Sequence, residues 1–305
     1  MSVQQVVVGD HILGLSNLDK ILYPESGLTK ADILAYYQQV APVLLPHLHE
    51  RPLTLKRYPD GVNGRFFYEK ECPPRRPDWV ASTPVWSAHN QRNIHYCLID
   101  DVASLMWAVN LADLELHTFL APASAPEHPS YVVFDLDPGA PAGLGQCARV
   151  AMALKERFDQ LGLAAYAKTS GSKGLQIYIP LQGSTDFEHT KAFARRVAEA
   201  TAHAFPALVV SNMRKSLRRG RVLIDWSQND AHKTTVCPYS LRAKAQPTVS
   251  LPWTWPEVAH AAAHPDAARQ MDYRQALARI QQHGDLFAPV LTTIQKLPPL
   301  SAVAG

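Results

Sequence analysis

Three aspartates carry the most pointed chemistry in this sequence. Asp135 and Asp137 stand two apart in SYVVFDLD (130–137), and Asp225 sits in GRVLIDWS (220–227). Residues two apart in a strand share a face. If both runs are strands, Val132, Phe134 and Leu136 point one way, and Val133, Asp135 and Asp137 the other. In the second run Leu223 and Asp225 lie opposite Val222 and Ile224. Three carboxylates on one uncovered surface repel one another, each pair by about 4 kcal/mol at ~4 Å and an effective dielectric of ~20. A hard divalent cation removes that cost, and oxygen ligands suit Mg²⁺ or Mn²⁺. Two such ions clamp the attacking and leaving oxygens of a phosphoryl transfer. A lone Asp-x-Asp more often ends a strand than binds metal, and it is the third Asp, on a neighbouring strand, that favours a metal site.

Other residues suit a phosphate-bearing partner. SGSKG (170–174) joins two strand-like runs, and its glycines, hydroxyls and Lys173 are the groups that cradle phosphates. No GK[ST] opens a helix, so it is not a P-loop. Gln176 follows on the strand face that carries the carboxylates. Residues 214–244 hold eight Lys and Arg against two acids, a local excess in a chain whose net charge is only +3. Such a stretch suits a triphosphate or a nucleic-acid backbone. Phe66 and Phe67, between Arg65 and Lys70, offer a stacking surface for a base.

These residues need a frame. SYVVFDLD, AAYAKTS (164–170), LQIYIPL (175–181) and GRVLIDWS read as strands, with helices over roughly 144–161 and 187–204. The order β-α-β-β-α-β predicts an RNA-recognition-motif-like split βαβ core, whose first and last strands are neighbours. Upstream, Thr29 and Asp32 at capping-box spacing predict a helix over about 30–40, and RPLTLKRYP (51–59) and RFFYEK (65–70) read as strands. Leu98 to Leu111 is apolar at helical spacing, with His117 after it. The proline cluster at 121–129 marks a boundary. We therefore expect an α+β chain with an N-terminal α/β subdomain over 1–125, a catalytic core over 126–250 and a helical tail over 251–305 packed on the core.

With 305 residues, 47% of them hydrophobic and 19% charged, the chain is long enough to bury a core and is not wholly disordered. It shows no apolar run approaching ~18 residues, so no membrane is expected, and no secretory leader. Cys72, Cys97, Cys147 and Cys237 form no CxxC pair, which argues against zinc, and we read all four as reduced thiols in a cytoplasmic protein.

Taken together, LDKILYP, LTKADILAYY, ERPLTLKRYPDG, RFFYEK, LELHTFLA, FDLDPG, KTSGSKGLQIYIPL, VLIDWSQN and PYSLRAK, in that order over roughly 15–260, resemble the polymerase domain of bacterial ligase D. That domain belongs to the archaeo-eukaryotic primase superfamily and serves end-joining repair. The resemblance implies nucleotidyl transfer onto a 3′-hydroxyl with two Mn²⁺ or Mg²⁺ ions, nucleoside triphosphates (often ribonucleotides), and DNA with gaps, overhangs or 5′-phosphate ends. It suggests Ku and a DNA ligase as partners and a bacterial, nucleoid-associated setting. By matching motifs, Asp135, Asp137 and Asp225 look like the catalytic metal ligands. His117, Ser170, Ser172, Lys173, Gly174, Gln228, Arg242 and Arg218 look like nucleotide contacts. Lys20 and Lys30 match positions that grip a 5′-phosphate, and Phe66 and Phe67 the pair that stacks on template. Gln176 is read as a further nucleotide contact: it stands where the family usually has His, and it donates to a phosphate oxygen only a neutral hydrogen bond, roughly half as strong as a charged one.

Two other readings compete. A glycosyltransferase uses an Asp-x-Asp for Mn²⁺ and a nucleotide sugar, but it needs neither Asp225 nor the two lysines. A non-catalytic RNA-binding module shares the core topology, but it would carry aromatics where this sheet carries Asp135, Asp137 and Gln176.

Overall fold

A computed structural model describes residues 3–303 except 182 and 184. The fold is mixed α/β, in two compact units. The first holds the residues up to Ser124 together with Thr234–Ser250 and Met271–Asp285. The second holds Ala125–Lys233, Leu251–Gln270 and the residues from Leu286 on.

The first unit opens with a hairpin, β1 (Val3–Val8) and β2 (His11–Ser16), then a short pair, β3 (Ile21–Tyr23) and β4 (Leu28–Thr29). Helix α1 (Lys30–Leu48) starts at Thr29 and Asp32, whose side chains cap each other's backbone N–H. It buries Ile33, Leu34, Tyr36, Tyr37, Val40 and Leu44. It runs past the expected end near residue 40, through Pro42 and Pro46. Both prolines lie on the exposed side of the helix. Strands β5 (Leu53–Arg57), β6 (Phe67–Glu69), β7 (Ser82–Ser87) and β8 (Arg92–Cys97) follow, then α2 (Val102–Asn110) and β9 (Asp113–Phe119). His117 therefore lies within a strand.

The second unit runs β10 (Tyr131–Pro138), α3 (Leu144–Gln160), β11 (Tyr166–Thr169), β12 (Leu175–Pro180), α4 (Phe187–Ala204), β13 (Val209–Val210) and β14 (Val222–Asp225). Strand β15 (Thr234–Val236) then returns to the first unit, where the sheet order is β15-β9-β5-β8-β7, with β6 on β5. After it come β16 (Pro252–Trp253), α5 (Trp255–Ala263), begun by a Thr254–Glu257 capping box, and α6 (Tyr273–His283).

The second sheet has the order β13-β14-β10-β12-β11-β16. Its four central strands are mutually antiparallel. Phe134 and Leu136 meet the helical side: Phe158 of α3 packs 5.1 Å from the Phe134 ring, and the Cys147 thiol donates to the Leu136 carbonyl. The opposite face is open only at its carboxylate end, where Asp137 is exposed and Asp135 and Asp225 are half-buried, and the rest of it is covered, contrary to expectation. Val133, Leu223, Lys168, Gln176 and Tyr178 are all buried. The tail contributes to this cover: Phe287 packs edge-on to Tyr178 at 5.3 Å, and Thr293 hydrogen-bonds Tyr166.

The reading of four reduced thiols is also corrected. Cys72 and Cys97 form a disulfide with Cα atoms 5.0 Å apart. The Cys72 amide donates to the His95 carbonyl, which brings the loop after β6 onto β8. Cys147 and Cys237 stay as buried thiols.

Candidate active site

Register brings the carboxylates together. Asp135 of β10 pairs directly with Asp225 of β14, and on its other side with Gln176 of β12, which pairs with Lys168 of β11. One row across the sheet thus reads Asp225, Asp135, Gln176, Lys168, with Asp137 two residues further along β10. Lys168 is fully buried and donates to Gln176 Oε1 (2.6 Å), and Gln176 Nε2 donates to Asp135 Oδ1 (3.0 Å). Asp225 Oδ1 accepts from the backbone N–H and hydroxyl of Ser227, and Lys233 donates to that hydroxyl.

As the side chains stand, no three His, Cys, Asp or Glu groups among the described residues are gathered closely enough to hold a metal ion. The chemistry of the donor set nevertheless fits one. Burial, followed by the charge of Asp137 and then that of Asp225, pushes Asp135 up to about 7, against the Gln176 hydrogen bond and Lys168. A divalent cation relieves that repulsion through oxygen ligands.

Two glycines press other loops against β10. A Cβ on Gly174 would stand 1.9 Å from the Leu136 carbonyl oxygen, so only glycine lets the 170–174 turn reach the strand between Asp135 and Asp137. Ser170 Oγ closes the turn by accepting from the Ser172 and Gly174 amides, while Lys173 is exposed. The turn hydroxyl is therefore an internal tie as well as a candidate contact. A Cβ on Gly139 would stand 2.0 Å from the Arg218 carbonyl oxygen, which seats the basic stretch at the end of β10. Arg218 itself donates to the Met213 carbonyl, while Arg214, Lys215 and Arg219 are exposed. Gln228 closes the short helical turn after Asp225. Beside it Asn229, fully buried, ties back to the N–H and carbonyl of Val133.

In the first unit, His117 and Arg242 meet a residue the sequence reading passed over. Glu115 Oε2 lies 3.0 Å from Lys56 Nζ, 3.0 Å from His117 Nε2 and 3.1 Å from Arg242 Nε. The Lys56 ammonium also lies 4.8 Å from the centre of the Phe66 ring, which stacks on Tyr58. Phe66 and Phe67 are both exposed, and the Arg57 guanidinium covers Phe67 at 5.1 Å.

Lys20 and Lys30 line a hollow of this unit, about 270 Å³, with Arg57, Ser16, Asn17 and Asn110. Lys30 donates to the Ser16 carbonyl, and Lys20 reaches Asp60. Burial lowers Lys30 to about 8, helped by the like charges of Lys20 and Arg57. Arg57 is paired with Glu69 as Lys20 is with Asp60, whereas Lys30 meets the neutral Ser16 carbonyl, so the hollow still suits an anion.

A family model described as "LigD, primase-polymerase domain" matches residues 29–287. The chain belongs to the LigD primase-polymerase family. Membership makes it an enzyme of the polymerase, nucleotidyl-transferring class, which selects among the three sequence readings. The multifunctional non-homologous end joining protein LigD of Mycobacterium bovis is 43% identical over 280 residues, 89% of this chain and 36% of its own length. The bifunctional LigD of Bacillus subtilis is 33% identical over 247 residues, 81% of this chain and 39% of its own length. The chain thus spans little more than a third of these relatives. A solved structure titled as the polymerase domain from Mycobacterium tuberculosis ligase D in complex with DNA superposes with a TM-score of 0.84 at 40% identity. It covers 94% of this chain and 99% of that one.

Within this LigD-type polymerase, sequence reasoning missed Lys168, Glu115 and Ser227, and counted Lys233 only as one charge of the basic stretch, not as the partner of Ser227. Signals existed for two of them: Lys168 is a charge in the short strand YAKT, and Glu115 shares one side of the alternating strand DLELHTF with Asp113 and His117, and a buried charge is costly unless paired.

Proposed function

We propose that this protein extends or fills DNA ends by metal-dependent nucleotidyl transfer, in the end-joining repair of double-strand breaks or gaps. The observation that carries it is the direct pairing of Asp135 with Asp225, with Asp137 on the same strand. The strand order β14-β10-β12-β11, with helices after β10 and β12, supports assigning the second unit to the RNA-recognition-motif-like split βαβ core of archaeo-eukaryotic primases.

In this reading Asp135, Asp137 and Asp225 hold the ions, Mn²⁺ or Mg²⁺. Bound there, a divalent cation supplies Lewis-acid activation of the 3′-hydroxyl and charge neutralisation on the triphosphate. Gln176, braced by Lys168, keeps Asp135 oriented, and Ser227 does the same for Asp225. Ser172, Lys173 and the Gly174-seated turn take phosphate oxygens, joined by Arg218 and Gln228 from the same unit. From the first unit, His117 and Arg242 contact the nucleotide, Lys20 and Lys30 take the 5′-phosphate of the DNA end, and Phe66 and Phe67 stack on template bases. The hydroxyl gives its proton to solvent water, its oxygen attacks the α-phosphorus, the bond to the α–β bridging oxygen breaks, and pyrophosphate leaves. The ribonucleotide preference and the partners Ku and a ligase rest on the family resemblance.

The test is primer extension on a gapped, 5′-phosphorylated duplex with Mn²⁺ and either nucleotide type. Wild type is expected to add nucleotides, ribonucleotides more readily. Asp135→Ala and Asp225→Ala are expected to lose at least a hundredfold. Full activity in both variants would refute the assignment.

A further inference from the structure

Glu115 has no part in the reaction as drawn, yet it is the convergence point of the first unit's polar cluster. Its pairing on β9 puts it opposite Lys56 of β5, and His117 lies two residues along on the same face. Oε2 meets Lys56, His117 and Arg242, while Oε1 accepts from the Tyr58 hydroxyl (3.3 Å) and the Ala243 amide (3.0 Å). The last bond also fixes the backbone next to Arg242. The carboxylate side chain is 1% exposed, whereas Lys56, His117 and Arg242 keep 11%, 13% and 14%. Glu115 is thus sealed behind groups that still reach the surface. It cannot itself touch a ligand.

Its effect on His117 follows from donor and acceptor rules. Burial alone would raise the Glu115 pKa. The His117 hydrogen bond and the charges of Arg242, His117 and Lys56 overcome this and hold it well below the usual carboxylate range. An ionised carboxylate only accepts, so His117 Nε2 must carry the hydrogen. Burial lowers the His117 pKa, with Arg242 and Lys56 acting in the same direction and Glu115 against them, which favours the neutral ring. Neutral imidazole protonated at Nε2 leaves Nδ1 as an acceptor.

We propose that Glu115 is a positioning residue for the nucleotide, fixing His117 in the Nε2–H tautomer with Nδ1 as acceptor and holding Lys56 and Arg242 in one array with it. This rests on the nucleotide-binding reading above and deepens it. Phosphate oxygens accept and cannot donate, so the partner of Nδ1 is a donor on the nucleoside, a sugar hydroxyl or a base amino group.

The experiment combines long-range ¹H–¹⁵N spectra of the histidine rings, with His117 assigned by its loss in His117→Gln, and direct binding of ATP. Wild type is expected to show His117 neutral and protonated at Nε2 at pH 7. Glu115→Gln is expected to abolish that signature and weaken ATP binding at least tenfold, while affinity for a gapped, 5′-phosphorylated duplex stays within twofold. The ATP losses in Glu115→Gln and His117→Gln are expected to be non-additive, because one acts through the other. Should Glu115→Gln fail to fold, Glu115→Asp decides the matter: it keeps the charge but withdraws it by one methylene, and is expected to weaken ATP binding in the same way. Wild-type affinity for ATP and an unchanged His117 spectrum in a folded variant would overturn the inference alone. A wild type that binds DNA but no ATP would overturn the nucleotide reading, and this inference with it.

Discussion

Lys30 shows how a single side chain reports its ligand. It is the first residue of α1, yet its amine is drawn inward to the Ser16 carbonyl and shares a hollow with Lys20 and Arg57. Burial, with those like charges, leaves its pKa near 8, so it is charged below that pH and neutral above it. A terminal phosphate is already a dianion above its second pKa of about 6. Between pH 7 and 9 the lysine is therefore the group that changes. The gain in affinity from a 5′-phosphate over a 5′-hydroxyl, measured by titrating gapped duplexes, is expected to shrink as pH rises through 8. It should vanish in the Lys20→Ala/Lys30→Ala double variant. A ratio that stays flat from pH 7 to 9 would contradict the pocket's role. At this scale the aspartates were legible because alternation in a strand decides which residues share a face. Lys168 and Glu115 were not, because a charge in a strand carries no sign of burial until its partners, 8 and 59 residues away, are seen across the sheet.

Elements carry these residues by register and close approach. The βαββαβ order was readable from periodicity, since each strand alternates and each helix repeats an apolar stripe. The short edge strands β13 and β16, of two residues each, have no period to read. A tail packed on the core was expected, but which face of the second sheet it covers was not readable, because Phe287 lies far from Tyr178 in sequence. The expected end of α1 missed because proline disfavours a helix interior locally, whereas the residues the last two turns bury, Ala41, Leu44, His47 and Leu48, outweigh that cost. The disulfide was missed because pairing depends on where β8 places Cys97 and not on spacing. The contact between the 170–174 turn and β10 yields a direct test. Gly174→Ala puts a methyl group into the Leu136 carbonyl and is expected to destabilise the protein by about 1–3 kcal/mol, the range of overpacked sites. It should also move the turn off the strand. Equilibrium denaturation would measure the loss, and an unchanged midpoint would show that the close approach is not made.

The whole molecule distributes the work between two units that are each discontinuous in sequence. Segments 234–250 and 271–285 return to the first unit, so Arg242 shares a cluster with Glu115 and His117 while Asp225 remains with the second sheet. No local composition marks those returns, whereas the blocks that carry the family resemblance lie in plain order along the chain. Primer extension reports on both units at once and on the DNA end. The narrower claim beneath it is that Asp135, Asp137 and Asp225 form one ion-binding set. Mn²⁺ binding followed by electron paramagnetic resonance, on wild type and on Asp225→Asn without DNA or nucleotide, tests this claim most directly. The account predicts saturable Mn²⁺ binding in wild type and at least a tenfold weaker affinity in Asp225→Asn. Equal affinity in the two proteins, or none in wild type, would contradict it.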